Sequence, residues 1–184
     1  MCNFLSVIVL KNGDVLHHPM LDSHSDLVAY FNLPDTSAHH QHFAKAELVP
    51  QDWLDPDTWA WQIDEPTRPG WLDDVDGSAE ARTRAIARKM ILTEHTPIPR
   101  LIVDGCWIVG GKGVVRDVRG GRIIRVQDSG QVGEVRDSGR VGVVRGSGQV
   151  GVVRDSGRVG VVWGSGQVGV VGSDAIVNGT KGPR

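Results

Sequence analysis

The chain has 184 residues, a 40% hydrophobic content, 20 Lys and Arg, 22 Asp and Glu, and a net charge of −2. That is enough for one ordinary domain, or for a compact domain with a repeat segment behind it. No apolar run approaches the roughly 18 residues of a membrane span, which argues against a membrane partner, and two cysteines, Cys2 and Cys106, are too few for a disulfide framework, so the expected location is cytoplasmic.

Met1 to Leu10 lacks a basic leader and reads as a strand, not a signal peptide. Asn12-Gly13 then forms a hairpin turn, because both residues tolerate positive φ, and Asp14 to His17 returns as a second strand. Ser23 to Asp26 has the spacing of a capping box, with Leu27, Val28 and Phe31 following at helical spacing until Leu33-Pro34. Phe43 to Val49 is a third strand and Thr58 to Ile63 a fourth, with Trp59, Trp61 and Ile63 on one face. A second helix runs from Ser78 to about Thr93, burying Ala81, Ala85, Ile86, Met90 and Ile91 and leaving Arg82, Arg84, Arg88 and Lys89 in water. The order predicts an α+β domain over residues 1–100, with an antiparallel sheet and helices on one face.

From Gln127 to Val171 nearly the same nine residues recur five times: QDSGQVGEV, RDSGRVGVV, RGSGQVGVV, RDSGRVGVV and WGSGQVGVV. Such a short, fixed period marks a solenoid, whose units bury their apolar side only against neighbours. The fifth position alternates between Gln and Arg (Gln131, Arg140, Gln149, Arg158, Gln167), and the second alternates Asp137, Gly146, Asp155, Gly164. An 18-residue superperiod predicts two nonapeptides per coil. Val-Gly-Val-Val forms the strand and Arg-Asp-Ser-Gly the turn. The sixth and ninth positions are the core and the eighth faces outward, where Glu134 replaces Val. The seventh glycine permits the bend this needs, and the serines form a hydrogen-bonding column. Val114-Val115 and Ile123-Ile124 are irregular first rungs, so the solenoid is expected over residues 101–179. Asp174 to Gly179 is its terminal cap, and residues 180–184 a flexible tail.

Residues 1–108 carry a balance of −8 and residues 109–184 one of +6. The basic half suggests an anionic partner, or an array kept in solution by its arginines. Candidate binding residues are Arg136, Arg145 and Arg154 at the first position, with Trp163 ending their series. Guanidinium groups spaced by rungs suit phosphates or carboxylates, which makes nucleic acid one candidate partner.

Catalytic and metal signals are sparse. Cys2 would be a nucleophile if Met1 were removed, although Asn3 stands where Gly is usual in such enzymes. Six of seven histidines precede residue 43 (His17, His18, His24, His39, His40, His42), but no Cys or carboxylate stands at a metal-ligand spacing from them. The array lacks the Asp placement of calcium-binding nonapeptides, and Gly110-Gly111-Lys112-Gly113 lacks the spacing and terminal Ser/Thr of a phosphate loop. No cofactor or metal site is therefore expected, and a catalytic residue is not assigned. Near-identical units suit contact better than catalysis, which needs unlike residues in one place. The expected role is a non-enzymatic binding or structural protein. Its solenoid would meet a macromolecular partner or, through an open edge, another copy of itself; an active site in the first domain is the alternative.

The layout resembles uncharacterised proteins of bacteriophages and actinobacteria. In these a leader beginning like Cys2-Asn3-Phe4-Leu5-Ser6-Val7-Ile8-Val9-Leu10-Lys11-Asn12-Gly13-Asp14 precedes units similar to Gly146-Ser147-Gly148-Gln149-Val150-Gly151. The resemblance implies a small leader domain with tandem repeats and brings no activity or site residues. The chain is also similar to pentapeptide-repeat proteins, some of which mimic DNA, but its period is nine and its array basic where a mimic is acidic.

Overall fold

The computed structural model describes residues 5–34, 36, 38–94, 106–178 and 180–181. The chain divides into two compact units, Met1–Lys89 and Met90–Arg184. The first is α+β and the second a β-solenoid.

In the first unit, β1 (Leu5–Leu10) turns back into β2 (Val15–Leu16). Gly13 takes φ +82° in the turn, and Asn12 Oδ1 accepts the Asp14 N–H at 3.0 Å. The first helix, α1 (His24–Tyr30), is capped by Ser23, whose Oγ faces the Asp26 N–H at 3.5 Å. Two strands follow, β3 (Phe43–Val49) and β4 (Ala60–Ile63). The sheet is antiparallel in the order β2-β1-β3-β4. Ile8, Leu27, Val28 and Phe43 form a core cluster of α1 on the sheet.

The second helix, α2 (Asp76–Lys89), departs from expectation in its start, its buried face and its end; Ser78, expected to cap it, lies inside it and donates to the Val75 carbonyl at 2.8 Å. The face consists of the small residues Ala79, Thr83 and Ala87, while Ala81 and Ala85 are exposed. Thr83 is satisfied there because its hydroxyl donates to the Ala79 carbonyl at 2.8 Å. Arg84, expected in water, is largely buried; it donates to the carbonyls of Pro56 (2.5 Å) and Trp59 (2.8 Å) and pairs with Glu80.

Ile91, expected on the helix, instead opens the solenoid in β5 (Ile91–Leu92). Three irregular strands lead in: β6 (Cys106–Val109), β7 (Val114–Val118) and β8 (Arg122–Val126). The expected strand at 101–103 lies outside the described residues. Five repeat strands follow: β9 (Gln131–Val135), β10 (Arg140–Val144), β11 (Gln149–Val153), β12 (Arg158–Trp163) and β13 (Gln167–Val171). They alternate between two parallel sheets. One stacks β5, β6, β8, β10, β12 and then β14 (Ile176–Val177); the other stacks β7, β9, β11 and β13. Within each sheet the register is 18 residues, with Arg140 opposite Arg158 and Gln149 opposite Gln167, so two nonapeptides make one coil. β7 to β9 is offset by 17, because the turn at residues 119–121 has three residues instead of four. Thr180–Lys181, part of the expected tail, forms β15 and pairs in parallel with Val162–Trp163.

Each of the strands β9 to β12 faces its sixth and ninth residues inward. Val132, Val135, Val141, Val144, Val150, Val153, Val159 and Val162 are all 4% exposed or less and form one cluster between the sheets. Fully burying such a side chain is worth about 1.5–3 kcal/mol relative to leaving it in water. Two inward residues three apart require the strand to skip a step, and the ladder pairs the fifth, sixth, eighth and ninth positions while passing over the seventh. Space fixes glycine there: a Cβ on Gly142 would lie 2.6 Å from the Ile124 carbonyl oxygen, and one on Gly160 2.5 Å from that of Gly142. Ile124 itself fits because β6 is one residue short at that point, leaving nothing opposite it.

The turn explains the second position. Asp128, Asp137, Asp155, Gly111, Gly146 and Gly164 all have φ between +52° and +61°, where Gly and Asp are among the few residues at ease. The serines form no column. They sit exposed in the turns, and Ser138 Oγ donates to the Arg119 carbonyl at 3.3 Å.

Candidate functional site

The first unit disperses its histidines. His24 is buried between Asp64 Oδ2 (Nδ1, 2.9 Å) and the Ala46 carbonyl (Nε2, 2.9 Å). His39 bridges the Thr36 carbonyl (Nδ1, 2.9 Å) and the Glu65 carboxylate (Nε2, 3.0 and 3.1 Å), with its ring stacked on Phe43. Glu65, its side chain only 2% exposed, also accepts the Lys45 N–H at 2.8 Å. Both ring nitrogens of each histidine thus lie within hydrogen-bond distance of protein oxygens, which accounts for both rings as structural contacts. Burial holds His17 below its ordinary value of 6.5, helped by neighbouring His18, so His17 resists becoming a cation. Among the described residues, no group of three or more His, Cys, Asp or Glu is arranged to hold a metal ion.

A cavity of about 560 Å3 is lined by His39, His40, Glu65, Thr67 and Arg68. Its size suits a small ligand, but its strongest polar groups are already paired: His39 with Glu65, and Arg68 with Asp73 (2.9 Å) and Asp76 (2.7 Å). Trp59 and Trp61 are likewise structural, donating from Nε1 to the Asp52 carbonyl (2.6 Å) and Asp76 Oδ1 (2.8 Å). Cys2 lies outside the described residues.

In the solenoid the four sequence candidates fall on two opposite margins, because successive turns alternate sides. Arg136 and Arg154 share one margin. Arg136 forms a two-pronged pair with Asp117 (2.9 and 3.1 Å), and Arg154 pairs with Glu134, so their charge is largely balanced within the array. Arg145 and Trp163 share the other margin, Arg145 exposed and Trp163 38% exposed.

Another set is more ordered. Arg122, Arg140 and Arg158, the fifth residues of β8, β10 and β12, lie opposite one another in register. The matching column on the other sheet is Gln131, Gln149 and Gln167. The sequence carried this signal in its Gln/Arg alternation, which counts coils; the structure shows that it also sorts charge by face. Outward on the Gln-bearing sheet stand Asp117 and Glu134, whereas the strands of the Arg-bearing sheet contain no carboxylate among the described residues.

Among the described residues, the sheet of β13 has an edge with no further strand on it. β13 is the last strand of its sheet, bonded to β11 on one side, with Val170 64% and Val171 47% exposed. A cavity of about 460 Å3 at this end is lined by Val162, Gln167, Val168, Val171 and Val177. No helix of the described residues is long and apolar enough to cross a membrane.

Comparison with protein-family models, with curated proteins and with solved structures finds no match to this chain.

Proposed function

We propose that the chain is a non-enzymatic binding and structural protein whose solenoid mediates macromolecular contact, first of all with a second copy of itself. The supporting observation is β13: an uncharged strand, Gln-Val-Gly-Val-Val, with no strand on its outer side among the described residues and exposing two valines beside an apolar cavity. Exposed edge strands template further pairing unless charge, proline or a covering element blunts them. β13 carries neither charge nor proline, and β14 continues the neighbouring sheet. The same edge of a second copy, related by a two-fold axis, completes this one strand against strand.

A cytoplasmic setting and kinship with phage and actinobacterial leader-plus-repeat proteins belong to the same proposal; they rest on the two cysteines and on the residues quoted above. An enzymatic role draws no support from His24 or His39, whose ring nitrogens already contact protein oxygens.

The test is light scattering on the full chain and on a Val170→Lys/Val171→Lys variant. Charge on the edge is expected to convert a larger species into the monomer with an unchanged circular dichroism spectrum. A wild-type chain that is monomeric at all concentrations, or a variant of unchanged mass, would refute self-association.

A further inference from the structure

The outer face of the Arg-bearing sheet is a cationic surface with two margins. Along one run Arg122, Arg140 and Arg158, and toward the other lie Arg125 and Arg145. Between them is a smooth strip where Gly142 and Gly160 contribute no side chain, next to Val143 and Val161. Adjacent rungs are about 4.8 Å apart, so Arg122 to Arg158 spans roughly 10 Å.

Like charges directly opposite on neighbouring strands repel, and this array repeats that arrangement when Gln at the same position, used on the other sheet, would avoid it. Arg140, Arg145 and Arg158 are exposed and form no ion pair among the described residues, in contrast to Arg136 and Arg154. Arg125 feels the crowding: burial, and then the charge of Arg145, lower it to about 10, so it remains a cation near neutrality.

We infer that this face binds the sugar–phosphate backbone of nucleic acid, with Arg140 and Arg158 as its principal contacts. Three features select this ligand. The charges on strands β8, β10 and β12 of this sheet are all guanidinium groups, whose planar fork matches phosphate oxygens in pairs. They recur along a line, as phosphates do. The strip between them carries no aromatic ring and no carboxylate on its strand residues Gly142, Val143, Gly160 and Val161, so the backbone is read and the base sequence is not. The site is separate from the β13 edge and stands without the self-association proposed above.

The experiment is fluorescence anisotropy of the full chain with an oligothymidylate of about 20 nucleotides and with a duplex of equal length, between about 50 and 200 mM salt. With three to five phosphates neutralised, log K is expected to fall against log salt with a slope of about −2 to −3.5 on the single strand. Arg140→Gln/Arg158→Gln is expected to weaken binding at least about tenfold and flatten the slope by about 1.4, at roughly 0.7 per lost contact. Gln149→Ala/Gln167→Ala, on the opposite sheet, leaves it unchanged. The relative affinity for strand and duplex identifies which form presents its phosphates best.

Relief of repulsion keeps the arginine variant folded, which a thermal melt checks; Arg145→Gln, on the far margin, gives a second loss in the same direction. Val170→Lys/Val171→Lys retains oligonucleotide binding whatever its oligomeric state. Absence of binding at low salt, equal affinity in the Arg140/Arg158 variant, or preference for a carboxylate polysaccharide such as hyaluronate over the oligonucleotide would each overturn the inference.

Discussion

Glycine in this array is fixed by two different demands. At the seventh position the demand is room: a methyl carbon on Gly151 would stand 2.6 Å from the Gly133 carbonyl oxygen, a backbone atom held in the ladder. Gly151→Ala is expected to destabilise by about 1–3 kcal/mol, as overpacking does. At the second position the demand is the backbone angle. Gly164 has open space around it but φ +61°, and Asp155 holds the same angle at +52°. Gly164→Asp is therefore expected to be nearly neutral, and a urea titration of the two variants separates the causes. The alternation of Asp and Gly was legible in the sequence as a period. Its meaning as a left-handed turn was not drawn from it, because the pattern was read for repeat length and not for which residues tolerate positive φ.

At the scale of the strand, the inward pair three residues apart was legible. Glu134 in place of Val marked the eighth position as outward, and the structure pairs Glu134 with Val152 on the outer face. Val144 and Val143 are adjacent and chemically identical, yet Val144 is fully buried and Val143 only half-buried. Val144→Ala is expected to cost about 2 kcal/mol, near the transfer free energy of two methylenes plus a residual cavity. Val143→Ala is expected to cost less than half of that, read from the shift in denaturation midpoint.

The helix was less legible. Hydrophobic weight pointed to Ile86, Met90 and Ile91, but α2 ends at Lys89 and buries Ala79, Thr83 and Ala87. Small side chains permit close approach to neighbouring elements, a tertiary demand that a count of apolar residues does not register. Arg84 was misjudged for a related reason: carbonyls of Pro56 and Trp59, distant in sequence, receive its guanidinium.

Across the whole molecule, the division into a leader and a rod followed from composition and period alone, while the distribution of charge around the rod required the coil. The sequence candidates Arg136, Arg145, Arg154 and Trp163 share a position in the nonapeptide, but nonapeptide position does not set the side of the rod; the parity of the repeat does. Repeat stability is close to a sum over units and their interfaces. Removing residues 145–162, one full coil, is expected to leave a folded rod with a lower melting temperature and the Arg column shortened. Removing residues 145–153 alone is expected to fold as well, yet with Arg158 stacked over Gln131 and oligonucleotide binding weakened. Circular dichroism melts and the anisotropy titration distinguish the two.

The same parity bears on how such a gene can change length. Tandem coding units expand and contract by slippage during replication. A slip of one unit leaves the hydrophobic seam whole but exchanges the chemistry of the two walls beyond it; a slip of two units preserves both. Folding tolerates odd and even changes alike, and only the outward chemistry keeps count.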